Sequence, residues 1–599
     1  MGIAKQGAAT WKSDLVLALI AALVGLAFNA AMGFSGLTDA GGDNDSLLQL
    51  VEVRDLLDGQ GWFDMHQYRM GLEGGFVMHW SRLLDAPLAA GMAGLAWLTG
   101  SMPLAEKVVQ VAWPSLLFFG TLFSIARAAR SFAGAGAVLP AIVIGGTALH
   151  FIGIYDPGAL DHHNVQLMLT IASLALLLEA PARPGAALFS GICAALTIAI
   201  GMESAPYAAT LGACVALLFV ADSTGERTIA RDFGLGFAGI SALVFFATVQ
   251  PSTWGVAQCD AFSVAQFAVA AIAGTGLALI ASFDAAVRDR RRRLLSLAAL
   301  GVLLGVVVAV LFPQCLAAPY ANLDPRLKEL WLDHIDEAQS LVTLLIHEPA
   351  RVFARYATPL VAIILMVLRL LRGGWRRQDS LVAALLVIAF TVGAWEVRAT
   401  TFSIAFAVIP LSAWVAKWRA RAEANASLGM GLRLAVVWLV SVNPVWTGAA
   451  AATSLAFDKD AAAAPDANAD PSCRKQSSFE PLGRMPDTTV LAISNLGSPI
   501  LAYTGHRVFA GPYHRNVAGN LAALDALLGS ADEAHKIVES HHVGLVAICR
   551  GNAESLILTE KAPRGFLAGL FDGSVPDWLE PVAETKGDPV ELYRVKNGG

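Results

Sequence analysis

The feature that most constrains this chain is a series of long apolar runs, repeated from the N-terminus to about residue 450. A helix that crosses a membrane needs about 20 mostly apolar residues, and its backbone groups must be satisfied within the helix. Thirteen runs approach this length, which predicts a polytopic helical membrane protein. They lie near residues 14–33, 107–126, 136–153, 163–179, 184–201, 207–221, 232–250, 264–283, 294–312, 355–371, 380–395, 400–417 and 431–449.

Composition supports this prediction. The chain is 56% hydrophobic and 15% charged, whereas soluble domains are about 45–50% apolar and about 25% charged. A net charge of -6 gives no reason to expect a nucleic-acid partner. The first apolar run is longer than the core of a cleaved signal peptide, so we expect an uncleaved first span. An Ala-x-Ala-like cleavage site near 28–31 is the alternative.

Arginine-rich loops orient the predicted spans, because positive residues accumulate on the cytoplasmic side. All five of these loops face the cytoplasm if the N-terminus is cytoplasmic and the apolar stretch 86–100 lies on the membrane surface. An odd number of spans then places the C-terminal region on the outer side. The long loops 34–106 and 313–354 lie on that side as well. The arginine-rich loops contain Arg127 and Arg130; Arg227 and Arg231; Arg288 and Arg290 to Arg293; Arg369, Arg372, Arg376 and Arg377; and Lys417, Arg419 and Arg421.

Four of the six cysteines fall on the predicted outer side. Cys259 and Cys315 lie in two outer loops, and Cys473 and Cys549 lie in the C-terminal region. Two pairs in these places predict disulfides and an oxidising compartment such as a periplasm, with four free thiols as the alternative. The other two cysteines lie within predicted spans.

The C-terminal region is soluble in character. We divide the chain into a membrane domain at 1–450, a linker at 451–475 and a mixed α/β domain at 476–599. Strands are predicted at 489–494, 507–511, 543–549 and 590–595, and helices at 520–528 and 531–541. The domain has no nucleophile elbow, P-loop or zinc-ligand spacing.

Acidic and imidazole side chains recur in three outer loops. Asp43 and Asp45 follow the first span, and Asp161, His162 and His163 lie between two spans. Asp156 precedes the second group, and Asp333 to Glu337 lie in the long loop before the tenth span. Carboxylates with imidazole favour a divalent cation, Mn²⁺ or Mg²⁺. The alternative is a set of solvated helix caps.

Other polar residues lie where the chain meets the membrane. Arg398 falls between two spans, and arginine at such depth favours a functional role such as phosphate binding, with an ion pair to Glu396 as the alternative. In the first outer loop, His79, Trp80 and Arg82 are candidates for lining a substrate cleft. Interfacial anchoring by Trp and Arg is the competing interpretation.

These motifs, in this order, resemble the GT-C glycosyltransferases, and most closely the catalytic subunit of oligosaccharyltransferase. The resemblance covers about residues 14–420. It implies about thirteen transmembrane helices, a long first external loop and a C-terminal mixed α/β soluble domain. It also implies a catalytic aspartate at Asp45, or at Asp43, followed by a helix that carries the substrate-binding Arg54.

The same resemblance implies a ligand set for the cation. Asp161 and His163 match an Asp-x-His motif, Glu337 matches a glutamate of the fifth external loop, and Arg398 matches an arginine that contacts the phosphate of the donor. The implied metal ligands are Asp45, Asp161, His163 and Glu337, with Asp45 and Glu337 also near the acceptor. One motif of the family, Trp-Trp-Asp, does not occur in the sequence, so the resemblance does not predict transfer to asparagine in proteins.

We therefore predict an inverting, metal-dependent glycosyltransferase of a bacterial inner membrane. Its donor is a polyprenyl-phosphate or polyprenyl-diphosphate sugar, and its acceptor is an envelope glycan, lipid or protein on the periplasmic side. A lipid or solute transporter, a protein oligosaccharyltransferase and an inactive scaffold are the alternatives. The sequence shows no internal repeat of the kind that many transporters have.

Overall fold

The structure is a computed structural model that describes residues 2–37, 43–283, 289–318, 320–321, 323–457 and 471–596. Eighteen helices precede residue 458 within these residues. They are α1 Gly2–Ala31, α2 Asn44–Leu57, α3 Arg82–Thr99, α4 Met102–Ala133, α5 Val138–Ile152, α6 His163–Glu179, α7 Ala186–Ile200, α8 Ala205–Ala221, α9 Ser223–Thr248, α10 Val264–Ser282, α11 Arg290–Leu311, α12 Pro325–Leu330, α13 Leu341–His347, α14 Pro349–Leu371, α15 Arg377–Trp395, α16 Thr400–Ala424, α17 Leu428–Val440 and α18 Asn443–Phe457.

Each predicted apolar run falls on a helix, and the prediction of a polytopic helical bundle is confirmed. Among the described residues, ten helices are long and apolar enough to cross a membrane, or eleven if the pair α17 and α18 counts as one span. This pair is bent by 82° where one span was predicted at 431–449. The second helix begins at Asn443, and Pro444 at its second position has no backbone N–H with which to continue α17. The count of thirteen also requires α6 and α7, which have only 17 and 15 residues.

Arginine ion pairs join several helices at one end of the bundle, which we call the arginine end. Asp14 is fully buried and binds Arg127 and Arg130 at N–O distances of 3.0 and 2.5 Å. Arg377, at the start of α15, binds Glu226 of α9 at 2.5 Å and donates to the carbonyl of Leu177. The predicted site residues lie at the opposite end of the same helices.

The C-terminal region forms a mixed sheet with helices packed around it, as predicted. The strands are β3 Thr489–Leu491, β4 Arg507–Val508, β5 Val543–Ile548, β6 Leu579–Pro581 and β7 Glu591–Val595, and they follow β1 His66–Gln67 and β2 Phe76–Val77 of the first loop. The sheet order is β4-β3-β5-β7-β6, with β4, β3 and β5 parallel and the last two pairs antiparallel. The helices are α19 Glu480–Gly483, α20 Gly497–Tyr503, α21 Val517–Leu528, α22 Ala531–Ser540, α23 Ala553–Lys561 and α24 Phe566–Phe571. The strand β6 was not predicted.

Helix α2 joins the two parts of the protein because it is buried on two faces. Leu50 and Val53 belong to the core of the membrane bundle, whereas Leu48 and Val51 belong to the core around the C-terminal sheet. The first loop adds a second connection, since Gly71 donates its amide to the carbonyl of Val508 at 2.8 Å and so covers the edge of β4. The C-terminal region is therefore docked on the bundle through α2 and the first loop.

Both predicted disulfides are present. Cys259 is bonded to Cys315 across a Cα distance of 5.2 Å, and Cys473 is bonded to Cys549 across 6.2 Å. The first bond ties the α9–α10 loop to the start of the long loop before α14. Most of the predicted linker at 451–475 lies outside the described residues.

Candidate active site

A cavity of about 460 Å³ lies where the bundle meets the C-terminal region, and it collects residues from all three predicted polar loops. Eight residues that were predicted as site residues line it: Asp43, Asp45, His79, Trp80, Asp161, His163, Glu337 and Arg398. We call this cavity the acidic cavity. Residues from positions 43 to 557 contribute to its wall, so the cavity exists only in the assembled fold.

The start of α2 brings the first two loops together. Asp43 is the N-cap residue, and its carboxylate accepts the backbone N–H of Ser46 at 2.7 Å, which leaves Asp45 in the first helical turn. The hydroxyl of Ser46 in turn accepts the backbone N–H groups of Leu160 and Asp161 at 3.1 and 3.2 Å. One serine therefore fixes the distance between the Asp45 and Asp161 motifs.

The second loop places a carboxylate between two imidazoles. Ligand atoms of Asp161, His162 and His163 all lie within 4.8 Å of one another. Asp161 and His162 are buried, with relative exposures of 6% and 7%, and Asp161 Oδ2 lies 3.5 Å from Nε2 of His163. On its other side, His162 Nε2 lies 3.8 Å from the carboxylate of Glu203. His162 belongs to a predicted polar loop but was not assigned as a metal ligand, and Glu203, at a predicted span end before Pro206, was expected either to reach this cleft or to cap a helix.

Crowded carboxylates change one another's protonation in this cavity. Asp43 is open to the cavity but surrounded by protein, and this burial, followed by the charges of Asp161 and Glu337, raises its pKa to about 6. Burial and the charge of Asp161 also raise the pKa of Asp45 well above its usual range. Burial opposes ionisation of Asp161 as well, but the neighbouring His162 and His163 hold its pKa below the usual range.

A divalent cation fits this set of residues. Burial is the main cause of the raised pKa of Asp43 and Asp45, and repulsion from Asp161 adds to it; a positive ion among these carboxylates would offset that repulsion. The donor set of carboxylate oxygens and imidazole nitrogens is the one expected for Mn²⁺, Mg²⁺ or Zn²⁺. The residues present therefore match the cofactor predicted from the sequence.

Arginines line another part of the same cavity. Arg398 contacts Glu396 at 2.8 Å, so the predicted ion pair exists, yet Arg398 also lines the cavity. The loop that carries Glu337 is joined to this segment, because the amide of Val397 donates to the carbonyl of Gln339 at 2.9 Å. Three further arginines line the cavity and were not predicted: Arg351, Arg355 and Arg474. The first two are four residues apart at the start of α14, a spacing that places them on one face and could have been noticed.

Arg54 and Arg82, two of the predicted substrate-binding residues, do not line the acidic cavity. Arg54 forms a fork with Glu106, at 3.0 and 2.7 Å, and donates to the carbonyl of Ala502 at 2.6 Å. It therefore connects α2, α4 and the C-terminal region. Arg82 is 2% exposed and pairs with Asp85 at 2.7 Å. Asp156, named in the second loop, also lies outside the cavity, where it faces His150 at 3.9 Å.

A second cavity, of about 750 Å³, adjoins the first. The two share His79, Trp80, His162 and Glu203, which form the wall between them. Its remaining lining comes from the first loop, the ends of α7 and α9 and the residues that follow these two helices. We call it the aromatic cavity, because Trp62, Phe63, Tyr68, Trp80 and Phe262 line it.

The polytopic bundle with a loop helix, an acidic cavity at its mouth and a docked α/β region has a fold similar to that of solved oligosaccharyltransferase structures. The structure is similar to the oligosaccharyltransferase of Archaeoglobus fulgidus tethered to an acceptor peptide that contains the NVT sequon. The TM-score is 0.65 at 15% identity, over 98% of this chain and 74% of that chain.

A second solved structure agrees on the fold. Oligosaccharyltransferase AglB of the same archaeon, in complex with an inhibitory peptide and a dolichol-phosphate, gives a TM-score of 0.62 at 15% identity over 89% of this chain and 69% of that chain. No protein-family model matches the sequence, and no curated protein matches it. At such low identity the likeness concerns the fold alone, which confirms the predicted fold.

Proposed function

We propose that this protein is an inverting, metal-dependent glycosyltransferase that moves a sugar or glycan from a polyprenyl-phosphate or polyprenyl-diphosphate donor to an envelope acceptor. The observation that carries the proposal is the composition of the acidic cavity. Carboxylates, imidazoles and four arginines line it together, at the mouth of an apolar bundle. A lipid-linked sugar phosphate requires both an apolar environment for its tail and cationic groups for its head.

Arg398 is proposed to bind the phosphate of the donor. Its planar guanidinium suits bidentate contact with phosphate oxygens, and the nearby Glu396 holds the side chain in place. Arg351 and Arg355 line the same cavity and would add positive charge as the leaving phosphate gains electrons. These residues would thus orient the anomeric carbon toward the carboxylates.

Asp45 or Glu337 is proposed to accept the proton of the acceptor. In a single displacement, the acceptor oxygen or nitrogen bonds to the anomeric carbon, the bond from that carbon to the phosphate oxygen breaks, and the lipid phosphate leaves with the electron pair. The acceptor proton passes to the carboxylate, which acts as a general base. Asp43, beside Asp45, is the alternative base.

A divalent cation held by Asp45, Asp161, His163 and Glu337, either Mn²⁺ or Mg²⁺, would supply Lewis-acid stabilisation of charge on the leaving phosphate. His162 would orient Asp161, which it contacts from the adjacent position. Ser46 would keep the Asp45 and Asp161 motifs at a constant separation through its two accepted hydrogen bonds.

We further propose that the acidic cavity faces the periplasm of a bacterium and that the arginine end faces the cytoplasm. The positive loops favour this orientation. The two disulfides, Cys259–Cys315 and Cys473–Cys549, lie on the side of the cavity and are expected in an oxidising compartment. Labelling of single cysteines in intact cells with a membrane-impermeant reagent checks this, and labelling only at the arginine end would overturn it.

Mass spectrometry of envelope glycans and glycolipids tests the activity. A deletion strain should lack a sugar that the wild-type gene restores and that Asp45→Asn and Glu337→Gln do not restore. Asp58→Asn is the matched control, because Asp58 is exposed at the other end of α2 and does not line the cavity. Full restoration by both cavity variants would contradict the proposed site.

Protein oligosaccharyltransferase activity is a second candidate, favoured by the fold of the archaeal enzyme. The absence of Trp-Trp-Asp from this sequence is against it. The same mass-spectrometric comparison separates the two, because a protein acceptor would lose mass at asparagine side chains in the deletion strain. Loss of lipid transport without any loss of a glycosidic bond would instead indicate a transporter.

A further inference from the structure

The aromatic cavity differs in chemistry from the acidic cavity with which it shares a wall. Arginines line the acidic cavity at four positions, whereas the aromatic cavity has only Arg82. That guanidinium is already committed to Asp85 and to backbone carbonyls. The lining also includes the carboxylates of Asp64, Glu203 and Asp260, so a phosphate has little to bind in the aromatic cavity. Its ligand meets ring faces, these carboxylates and neutral polar groups.

The rings of the first loop are held in place by their polar edges. Tyr68 donates its hydroxyl to Asp64 at 2.8 Å, and Nδ1 of His66 lies 2.9 Å from the other oxygen of the same carboxylate. The rings of His66 and Tyr68 are stacked, with centroids 5.4 Å apart and an interplanar angle of 20°. Trp62 donates its indole N–H to the carbonyl of Ala247 at 2.6 Å. Because the edges are occupied, the ring faces remain as the available surface.

A buried ion pair fixes the backbone beneath these rings. Arg82 is 2% exposed, pairs with Asp85 at 2.7 Å and donates to the carbonyls of Trp62 (3.2 Å) and Asp64. Taking both charges out of water costs free energy, so such a pair is poor evidence for stability by itself. What it does here is hold the segment 62–64 in one conformation. The loop is preorganised before any ligand arrives.

Anchoring at the membrane surface is a poor explanation for these rings. Trp97 and Trp395, at the ends of α3 and α15, are 84% and 71% exposed, as expected of rings that lie among lipid head groups. Trp62 is only 37% exposed and lines a concave site beside the acidic cavity. Its position is that of a binding residue.

The chemistry of a carbohydrate is complementary to that of the aromatic cavity. The C–H groups on the face of a pyranose or furanose ring pack against the electron-rich face of an aromatic ring, while the hydroxyl groups require polar partners around it. The rim supplies neutral amide and hydroxyl groups at Gln250, Thr253 and Gln258. The volume of about 750 Å³ lies within the range of roughly 300–1,000 Å³ found for small-molecule sites.

We propose that the aromatic cavity is a carbohydrate-binding cleft, with Trp62 and Tyr68 as the stacking residues and Asp64 and Arg82 as positioning residues. The inference rests on the proposed function and deepens it, because it makes a saccharide the group that lies next to the acidic cavity. The saccharide belongs either to a lipid-free acceptor or to the lipid-linked donor. Both sources present the same ring faces and hydroxyl groups.

Binding of oligosaccharides to the full chain in lipid nanodiscs tests the inference without requiring turnover. The probes are labelled oligosaccharides released from the envelope of the producing cells, offered once lipid-free and once as the lipid-linked fraction. The wild type and Trp97→Ala should retain one of the two fractions, and Trp62→Ala with Tyr68→Ala should retain it at least tenfold less. Retention of the lipid-free fraction identifies the acceptor, and retention of only the lipid-linked fraction identifies the donor.

Three results would contradict the proposal that the aromatic cavity binds carbohydrate. They are retention of neither fraction, equal retention by the double variant and the wild type, and competition by a peptide in place of a saccharide. Tyr68→Phe keeps the ring and loses the bond to Asp64, so it should retain saccharide within about threefold of the wild type even if the double variant folds poorly. Asp45→Asn should bind saccharide normally. If Asp45→Asn binds and also transfers, the proposed active site fails while the cleft stands.

Discussion

The two ends of the membrane bundle use charge in opposite ways. At the arginine end, Asp14 is fully buried but has Arg127 and Arg130 within 3.0 Å, so its charge is neutralised by side chains of a neighbouring helix. At the acidic cavity, burial and, after it, the negative charge of Asp161 raise the pKa of Asp43 and Asp45. Charges that are paired within the protein hold helices together, whereas unbalanced charges require a ligand from outside. The same residue type therefore has a structural role at one end and a proposed catalytic role at the other.

Asp161→Asn should have the largest effect of these substitutions on the function of the acidic cavity. Loss of the central carboxylate removes a metal ligand and should lower transfer by at least about 1,000-fold, which corresponds to about 4 kcal/mol of transition-state stabilisation. Sugar transfer and Mn²⁺ titration check this on the same preparation. Asp156→Asn, on the same loop but outside the cavity, is the matched control and should keep both properties. Normal Mn²⁺ binding by Asp161→Asn would remove this residue from the ligand set.

Asp14→Asn should lower the stability of the fold and leave Mn²⁺ binding unchanged. It removes the carboxylate that pairs with Arg130 and leaves Arg127 with Glu179 alone, and breaking a buried pair in this way costs about 3–5 kcal/mol of folding free energy. The measurement is unfolding in mixed detergent micelles, compared with the wild type. Mn²⁺ affinity of the folded fraction should not change. A variant that kept its stability but lost Mn²⁺ would contradict the separation between the two ends.

Arg398→Lys separates the effect of the positive charge of Arg398 from that of its planar guanidinium within the acidic cavity. Lysine keeps the charge but loses the planar fork, so the KM for the lipid donor should rise about tenfold, or about 1.4 kcal/mol, with a smaller change in kcat. Arg54→Lys makes the same change at a residue that contacts Glu106 and Ala502 in place of the cavity. Its KM should stay within twofold of the wild type. Equal increases in both variants would mean that Arg398 acts only as a structural residue.

Asp260→Asn should have the smallest effect, and that effect should depend on pH. Burial opposes the charge of Asp260, but hydrogen bonds from His514 and Arg515 hold its pKa well below the usual range. A carboxyl group whose pKa is lower in the folded state than in the unfolded state stabilises the fold at pH values above its unfolded pKa of about 4. This stabilisation is lost as the pH falls below that value. The variant should therefore melt slightly earlier than the wild type at pH 7. The two melting temperatures should converge as the pH is lowered, and a constant difference would mean that the carboxylate charge is not the cause.

Local patterns predicted the elements of this fold well. Apolar runs identified the helices of the bundle, and alternating β-rich runs identified four of the five strands of the C-terminal sheet, because both signals depend on nearby residues. The broken span shows a local signal that was overlooked. Asn443 and Pro444 lie in the middle of the run 431–449, and a proline at the start of α18 separates it from α17.

Residues of the candidate site were predicted only where the order of the loops along the chain indicates that they come together. Asp45, Asp161 and Glu337 each stand beside a span on the outer side, so their convergence follows from topology. Arg474 could not be found in that way, because a different part of the chain, fixed by the neighbouring Cys473–Cys549 disulfide, brings it to the cavity. Arg54 was assigned by its spacing from Asp45, but spacing does not reveal that Glu106 lies closer to its guanidinium than the cavity does.

The shared burial of α2 has a consequence for how the protein is made. Asn44, at the start of this helix, contacts Asn495, which is 451 residues later in the chain. At a synthesis rate of about 5–20 residues per second, roughly 20–90 seconds pass before the partner surface emerges. During that interval Leu48 and Val51 have no C-terminal core to pack against. A ribosome that stalls before this point would release a chain whose helices are inserted but whose α2 is half packed, and proteases would recognise such chains by their exposed leucine and valine side chains.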